Sequence, residues 1–196
     1  MPIGPLGLLI CTAIALTAAL GVAWLLVDRQ DSGAVRLEDA LQSVDRGSPV
    51  PAGTATAEVG APAPDVRLDY LDGGSEQLSA HRGTPVVLNF WSSTCAPCLQ
   101  EMPAIQHVSA AQEGKVTVLG VDVTDTERAG TDMVRRTGVT YRNARDPKAQ
   151  VMAAFGGTAL PRTVVIGADG TVLDTHSGAL SAAELTDLLR RNGVLG

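Results

Sequence analysis

Two cysteines, Cys95 and Cys98, are the residues of this sequence best suited to carry out chemistry. Ala96 and Pro97 separate them, and a predicted strand over 85–91 leads into the pair. A predicted helix follows, so the unpaired N–H groups and partial positive charge at its N-terminus would favour the thiolate of the first cysteine. A thiolate is the attacking species in disulfide exchange. The pair therefore predicts a reversible disulfide and a thiol:disulfide oxidoreductase.

Composition narrows the class of protein. The chain has 196 residues, a net charge of -6 and no cluster of Lys or Arg, which argues against a nucleic acid partner. The only other cysteine is Cys11, in an apolar N-terminal segment, so neither a disulfide-stapled scaffold nor a four-ligand zinc site fits. We therefore expect no metal site, and no cofactor other than the redox-active disulfide of Cys95 and Cys98.

The first 27 residues predict a transmembrane helix. Residues 3–27 carry no charged side chain, and as a helix they would be roughly 37 Å long, enough to cross a hydrocarbon core of ~30 Å. A cleavable signal sequence is the alternative. Against it, no Lys or Arg precedes the apolar run, and the run continues beyond the small residues Gly21 and Ala23. We expect an uncleaved, single-pass anchor over 1–27.

A linker is predicted between this anchor and a folded domain. Residues 28–58 are rich in Ala, Gly, Ser, Pro and charged residues, which is typical of a flexible tether. Three arginines follow the apolar run, and the positive-inside rule taken alone would leave the domain in the cytoplasm. This signal is weak, because the arginines are dispersed among acidic residues. The folded domain is expected over 59–196.

Within 59–196, predicted strands alternate with predicted helices. Apolar runs over 85–91 and 115–123 predict central strands that are buried on both faces. The remaining predicted strands span 65–70, 140–144, 163–166 and 171–174, and the helices span 95–112, 126–137, 147–155 and 181–192. This order predicts an α/β domain with a central mixed β-sheet flanked by helices.

Several motifs occur in the order found in the thioredoxin superfamily. They are Phe90-Trp91, the Cys95–Cys98 pair, Pro103 and the segment 159–161. The longer pattern, which includes 60–65, 88–91, 101–103 and 167–170, resembles the TlpA/ResA-type membrane-anchored thiol:disulfide oxidoreductases, with an AhpC/TSA-redoxin-like domain. The resemblance covers about 59–192. It implies a thioredoxin-like fold preceded by one N-terminal transmembrane helix, with the domain on the extracytoplasmic side of the cell membrane.

The resemblance also implies roles for individual residues. Cys95 would be the exposed nucleophile, and Cys98 would be the buried thiol that resolves the mixed disulfide. Pro161 would be a cis-proline that faces the disulfide and keeps a metal from bridging the thiols. The backbone of Leu160 would pair with the client chain.

An acidic residue, Glu101, lies three positions after Cys98 on the same predicted helix. In the resembling family an acid at this position helps to manage protons during exchange, and a buried carboxylate with a raised pKa could accept the Cys98 proton. The alternative is a solvated acid near a helix N-terminus. Asn89 stands where thioredoxin carries a buried acid, which gives Glu101 more weight.

The other candidate substrate-binding residues surround the cysteine pair. Thr94 stands where many relatives have Trp, which would widen access to the thiols. Ala96 and Pro97 add no positive charge, so the site favours a reductant over a strong oxidant. Arg162 follows the candidate cis-proline, either as a surface residue or as a contact for acidic partners. Trp91 is included with this group, although core packing is the stronger interpretation.

The expected function is that of a membrane-anchored, extracytoplasmic enzyme that reduces disulfides in exported proteins. By the resemblance, its partners are cysteine-containing exported proteins such as apocytochrome c, together with a membrane thiol electron donor; cytochrome c maturation is one process that fits. A thiol oxidase or isomerase would use the same site. A copper metallochaperone could use Cys95, Cys98 and His176, but its cysteines are usually separated by three residues, and Pro161 opposes metal binding.

Overall fold

The computed structural model describes residues 57–196, and within this range seven strands form one mixed sheet in the order β2-β1-β5-β4-β3-β6-β7. The strands are β1 (Arg67–Tyr70), β2 (Ser75–Gln77), β3 (Val86–Trp91), β4 (Thr117–Val123), β5 (Arg142–Asp146), β6 (Arg162–Ile166) and β7 (Val172–Ser177). The helices are α1 (Ala96–Ala111), α2 (Glu127–Thr137), α3 (Gln150–Ala154) and α4 (Ala182–Arg191), with a short 3-10 helix at Leu78–His81. Strands β3, β4 and β5 are parallel, and the remaining pairings are antiparallel.

The two most apolar strands, β3 and β4, lie at the centre of the sheet. Every residue of β3 is buried, and so is all of β4 beyond Thr117. Both faces of these strands are covered, which explains their near-continuous apolar sequence. Because the strands are parallel and Trp91 pairs with Asp122, the segments that follow them emerge at the same edge of the sheet. The cysteine pair lies at this edge.

Two apolar clusters hold the layers together, one on each face of the sheet. On one face Phe90 packs against Phe155, with ring centroids 5.9 Å apart. On the other face, helices α1 and α4 bury their apolar sides against β3. The fully buried residues Leu185, Leu188 and Leu189 of α4 belong to this second cluster. The predicted α/β domain with a mixed sheet flanked by helices is confirmed.

Helix ends agree closely with the predicted ones where the sequence carries capping residues. The Thr126 side chain accepts a hydrogen bond from the Ala129 N–H at the start of α2, and Gly138 ends that helix in the left-handed conformation, with φ 70°. At the start of α4, Ser181 and Glu184 form a reciprocal capping box.

Boundaries differ where a longer-range contact decides them. Strand β5 runs to Asp146, because its ladder with β4 continues to that residue, and helix α3 begins only at Gln150. The Asp146 carboxylate accepts the N–H groups of Gln150 and Met152, while Ala149 has φ 54°, so the helix cannot begin at 147. Strand β7 extends to Ser177, opposite Arg162, instead of ending at 174.

The anchor predicted over 1–27 and almost all of the linker predicted over 28–58 lie outside the described residues. The last linker residues are already attached to the domain, because the Ala57 N–H donates to the Ala154 carbonyl at 2.9 Å. Residues 57–196 contain no helix with the length and apolar character needed to cross a bilayer.

Candidate active site

The cysteine pair lies where the loop after β3 enters helix α1. Cys95 is the N-cap residue of α1, and a disulfide joins it to Cys98, with the two Cα atoms 5.3 Å apart. Cys95 is half-buried, whereas Cys98 is 0% exposed. A client protein can therefore reach Cys95 but not Cys98.

The start of α1 favours negative charge on Cys95. The backbone N–H of Cys98 donates to the Cys95 Sγ at 3.2 Å, and Pro97 occupies the first turn, where its missing N–H is not needed. The first turn contains no charged side chain. A Cys95 thiolate would thus be stabilised by the helix end and one N–H group, without help from a cationic neighbour in that turn.

A buried carboxyl group lies one helical turn beyond Cys98. Glu101 is only 2% exposed; its Oε1 accepts the Asn89 Nδ2–H at 2.7 Å, and its Oε2 accepts the Leu180 N–H at 3.0 Å. Burial raises the pKa of Glu101 to about 7, against the smaller lowering effect of these two hydrogen bonds. Glu101 can therefore hold or release a proton near neutral pH. The alternative of a solvated helix acid does not fit this placement.

The surroundings of Glu101 contain further buried polar atoms. Asn89 pairs with Thr163 across β3 and β6, and Tyr141 lies close enough to Glu101 that the negative carboxylate contributes to a raised tyrosine pKa, after burial itself. Within residues 57–196, the Asn89 Oδ1, Tyr141 Oη and Thr163 Oγ1 atoms have no hydrogen-bond partner. Buried polar atoms without a protein partner are commonly satisfied by internal water.

The loop before β6 packs against the same apolar cluster as the cysteine pair. The peptide bond between Leu160 and Pro161 is cis, and the Pro161 carbonyl accepts the Gly178 N–H at 2.9 Å. Leu160 and Cys95 are partly buried against the same apolar cluster.

Comparison with known proteins assigns this fold and site to a family. A family model described as Redoxin matches residues 58–189. The chain belongs to the Redoxin family. Within the larger thioredoxin superfamily it is of the TlpA/ResA type, as its relatives show.

Two curated relatives and one solved structure illustrate the similarity. The thiol-disulfide oxidoreductase ResA of Geobacillus thermodenitrificans (strain NG80-2) is 34% identical over 133 residues, which cover 67% of this chain and 76% of the relative. The thioredoxin-like protein YneN of Bacillus subtilis (strain 168) is 31% identical over 134 residues, which cover 66% of this chain and 78% of the relative. The DsbF homologue from Corynebacterium diphtheriae has a TM-score of 0.63 and 28% identity, covering 74% of this chain and 96% of that chain. This redoxin is a thiol:disulfide oxidoreductase with a thioredoxin-like fold.

Among the candidate substrate-binding residues, Trp91 requires a correction. Its side chain is 0% exposed, and its indole Nε1–H donates to the Asn143 Oδ1 at 3.0 Å beneath the site. It cannot touch a client in this structure, so its role is to pack the core below the loop. Thr94, Ala96 and Pro97 are exposed around the disulfide and remain available for contact.

Arg162 is largely occupied by contacts within the domain. Its guanidinium donates to the Phe155 carbonyl at 3.1 Å and to the Ser177 Oγ at 3.3 Å, and the side chain is only partly exposed. These bonds tie the loop after α3 to the edge strand β7. They leave the role proposed for Arg162 in binding acidic partners without direct support.

Three residues next to the site were not predicted from the sequence. Ser93 follows β3, and Asp122 and Asp125 lie at the end of β4; the Ser93 Oγ donates to the Asp125 Oδ1 at 2.9 Å. A signal was available, because polar residues that follow adjacent parallel strands meet at the same edge of a sheet.

The grouping that a copper site would need is not formed in the described part of the chain. Nowhere in residues 57–196 do three His, Cys, Asp or Glu side chains lie close enough together to hold a metal ion. His176 lies on β7 opposite Thr163.

Proposed function

We propose that this redoxin reduces disulfides in exported proteins, and that it acts as a single-pass membrane protein whose folded domain lies outside the cytoplasm. The apolar residues 3–27 and the similarity to ResA proteins support this location. The client class is cysteine-containing exported proteins such as apocytochrome c, and a membrane thiol protein supplies the electrons. The dithiol itself carries out the exchange, without a bound cofactor.

The observation that carries the proposal is the unequal exposure of two sulfurs at one helix end. Cys95 is accessible and receives the Cys98 N–H, while Cys98 is fully buried. Only neutral residues lie between them, so the thiolate form gains modest stabilisation. Strong oxidants depend on a highly stabilised reduced form, so this arrangement favours the reductant direction.

The exchange balances as two successive displacements. The Cys95 thiolate attacks one sulfur of the client disulfide, and the other client sulfur leaves as a thiolate. The Cys98 thiol then gives its proton to Glu101 and attacks the Cys95 Sγ, which releases the second client sulfur. Two electrons pass to the client, and the Cys95–Cys98 disulfide is left for the thiol donor to reduce.

Trapping of the mixed disulfide tests this function. A Cys98→Ser variant of the full chain, expressed in membranes, cannot complete the second displacement, so it should accumulate covalent complexes with client proteins through Cys95. A Cys95→Ser variant is the matched control and should accumulate none. Complexes that form equally in both variants, or that resist dithiothreitol, would contradict the proposal.

The membrane arrangement has its own test. Protease added to intact spheroplasts should degrade the C-terminal domain, because the proposal places it outside the cytoplasm. A domain that is protected until the cells are lysed would reverse the orientation, in the direction that the arginines after residue 27 favour.

A further inference from the structure

We propose that Asp125 is a positioning residue that holds the loop before Cys95 in the geometry that the attacking sulfur requires. The inference rests on the assignment of Cys95 as the attacking thiol. It concerns a side chain just after β4 that does not itself take part in the exchange.

Asp125 accepts two hydrogen bonds from Ser93, in the loop before Cys95. Its Oδ2 accepts the Ser93 backbone N–H at 2.5 Å, and its Oδ1 accepts the Ser93 hydroxyl at 2.9 Å. Ser93 lies two positions before Cys95, and the Cys95 N–H closes the same turn by donating to the Ser92 carbonyl at 3.1 Å. The carboxylate thereby fixes the segment that sets where the Cys95 Sγ lies relative to the N-terminus of α1.

The backbone before Asp125 adopts an unusual conformation that directs it towards this loop. Thr124 has φ 63°, a region that a β-branched residue rarely occupies. Its N–H donates to the Asp146 carbonyl at 3.0 Å, and its hydroxyl donates to the Val123 carbonyl at 2.7 Å. Strained residues of this kind persist where surrounding contacts impose them, often next to a functional site.

Asp122 is a second buried acid at the end of β4, three positions before Asp125. It is 2% exposed, and helix α2 passes directly over it at Gly130, where any Cβ atom would overlap the Asp122 Oδ2. Burial, and after it the neighbouring Asp125, raises the pKa of Asp122 to about 8. Within residues 57–196 the Asp122 Oδ1 has no hydrogen-bond partner.

One cation faces this acid pair from the neighbouring strand. Arg145 of β5 pairs with Asp122 in the sheet and lowers the Asp122 pKa by a smaller amount than burial raises it. Its guanidinium is shared with Glu127 of α2, at 3.0 Å. Both oxygens of Asp125 are directed to Ser93 and not to Arg145.

The consequence is a preorganised nucleophile. With the loop fixed, the Cys95 Sγ stays within reach of the Cys98 N–H, and the thiolate keeps its stabilisation from the helix end. Without Asp125 the loop can move, the thiol pKa should rise, and attack should slow.

The test measures the rate at which iodoacetamide alkylates Cys95 in the reduced full chain, as a function of pH. Asp125→Ala and Ser93→Ala should both shift the Cys95 thiol pKa upward and slow alkylation at pH 7 by about threefold to tenfold, the latter corresponding to one pKa unit. Asp132→Ala removes an exposed carboxylate from α2 and is the matched control, with an unchanged profile.

The variants separate positioning from charge and from stability. If Asp125 acted only through its charge, Asp125→Ala would lower the Cys95 thiol pKa and Ser93→Ala would leave it unchanged, and that result would overturn the proposal. The proposal would also be overturned if both variants unfolded more easily but kept the wild-type pH profile of alkylation. Ser93→Ala carries the test if Asp125→Ala does not fold, since it removes one hydrogen bond and no charge. Peptide mapping of the wild type identifies which cysteine is alkylated, and so tests the assignment of Cys95 as the attacking thiol separately from the positioning role of Asp125. Labelling at Cys98 would overturn both, whereas normal Cys95 labelling with unaffected variants would overturn only this inference.

Discussion

At the scale of single residues, the site divides one reaction between two sulfurs and one carboxyl group. Cys95 is reachable and lies at the helix end, Cys98 is buried beneath it, and Glu101 has a pKa of about 7 because burial disfavours its charge. Each environment suits a different step: attack, resolution and proton acceptance.

Replacement of Glu101 by Gln should alter the second displacement selectively. A Gln side chain can keep the hydrogen bond from Asn89 but cannot accept the Cys98 proton, so resolution of a Cys95–peptide mixed disulfide at pH 7 should slow about 100-fold. Stopped-flow release of the peptide across pH 5–9 measures this. The wild-type inflection near pH 7 should disappear in Glu101→Gln and persist in the exposed control Glu113→Gln. An inflection that survives in Glu101→Gln would contradict the role of Glu101.

Replacement of Pro97 by His should make the site more oxidising. A protonated imidazole in the first turn of α1 would stabilise the Cys95 thiolate, and each tenfold gain for the reduced form raises the potential by about 30 mV. Equilibration with glutathione at pH 6 and pH 8 measures the change, which should be larger at pH 6. Pro97→Gln is the neutral control, and equal effects of the two variants would argue against a charge effect.

The chemistry-bearing residues were visible in the sequence because their types and spacing are unusual. The supporting residues were not. Asp125 and Ser93 are 32 positions apart, and only the parallel pairing of β3 with β4 brings them together. The hydrogen bond from Trp91 to Asn143 of β5 likewise joins residues 52 positions apart, which local sequence does not reveal.

At the scale of elements, strand β4 at the centre of the sheet packs closely against Trp91, the last residue of the strand that leads to the cysteine pair. Gly120 of β4 lies beneath the Trp91 indole and beside Asn143, and a Cβ atom there would overlap both side chains. The hydrogen bond between Trp91 and Asn143 therefore requires a residue without a side chain at position 120.

Gly120→Ala should therefore destabilise the domain by about 3 kcal/mol, through overpacking and loss of the hydrogen bond. Urea unfolding of the oxidised protein measures it. Asn143→Ala alone should also destabilise, because it leaves the Trp91 N–H without a partner. The double variant should lose less than the sum of the two single changes, since the smaller side chain at 143 makes room for the new methyl group. Additive losses would contradict this packing.

Elements with local capping signals were predicted well, and elements decided by distant contacts were not. The ends of α2 and α4 follow from Thr126, Gly138 and Ser181. The start of α3 depends instead on Asp146 and on the left-handed Ala149, a combination that no local propensity indicates.

At the scale of the whole molecule, two buried acids should make the domain less stable as pH rises. The folded-state pKa of Glu101 is raised from 4.5 to about 7, and that of Asp122 from 3.8 to about 8. The folded protein then binds more protons than the unfolded chain between these limits. The resulting stability is complete below about pH 4 and is lost progressively up to about pH 8.

For the oxidised protein, the free energy of unfolding should thus fall between pH 5 and pH 8. Glu101→Gln should remove on the order of 3 kcal/mol of that fall, because Gln has no proton to lose. Denaturant unfolding at several pH values measures it, with Glu113→Gln as the exposed control. A fall of the same size in Glu101→Gln would show that Glu101 is not the titrating group.

The architecture was predictable because the order of strands, helices and turns, together with the motif order, left few alternatives. The register of the sheet was not, since it depends on pairings such as β1 with β5 between segments about 75 residues apart, which local patterns do not encode. The edge that carries the site follows from the register of the parallel strands.

The most direct test of the central claim is a redox equilibrium of the Cys95–Cys98 pair. The protein is equilibrated in graded mixtures of dithiothreitol or glutathione with their oxidised forms, and the free thiols are counted after alkylation. We predict that both cysteines convert together in one two-electron transition, at a potential well below the roughly -120 mV of a strong periplasmic oxidant. Failure of the pair to interconvert would contradict exchange chemistry, and a transition near -120 mV would contradict the reductant direction.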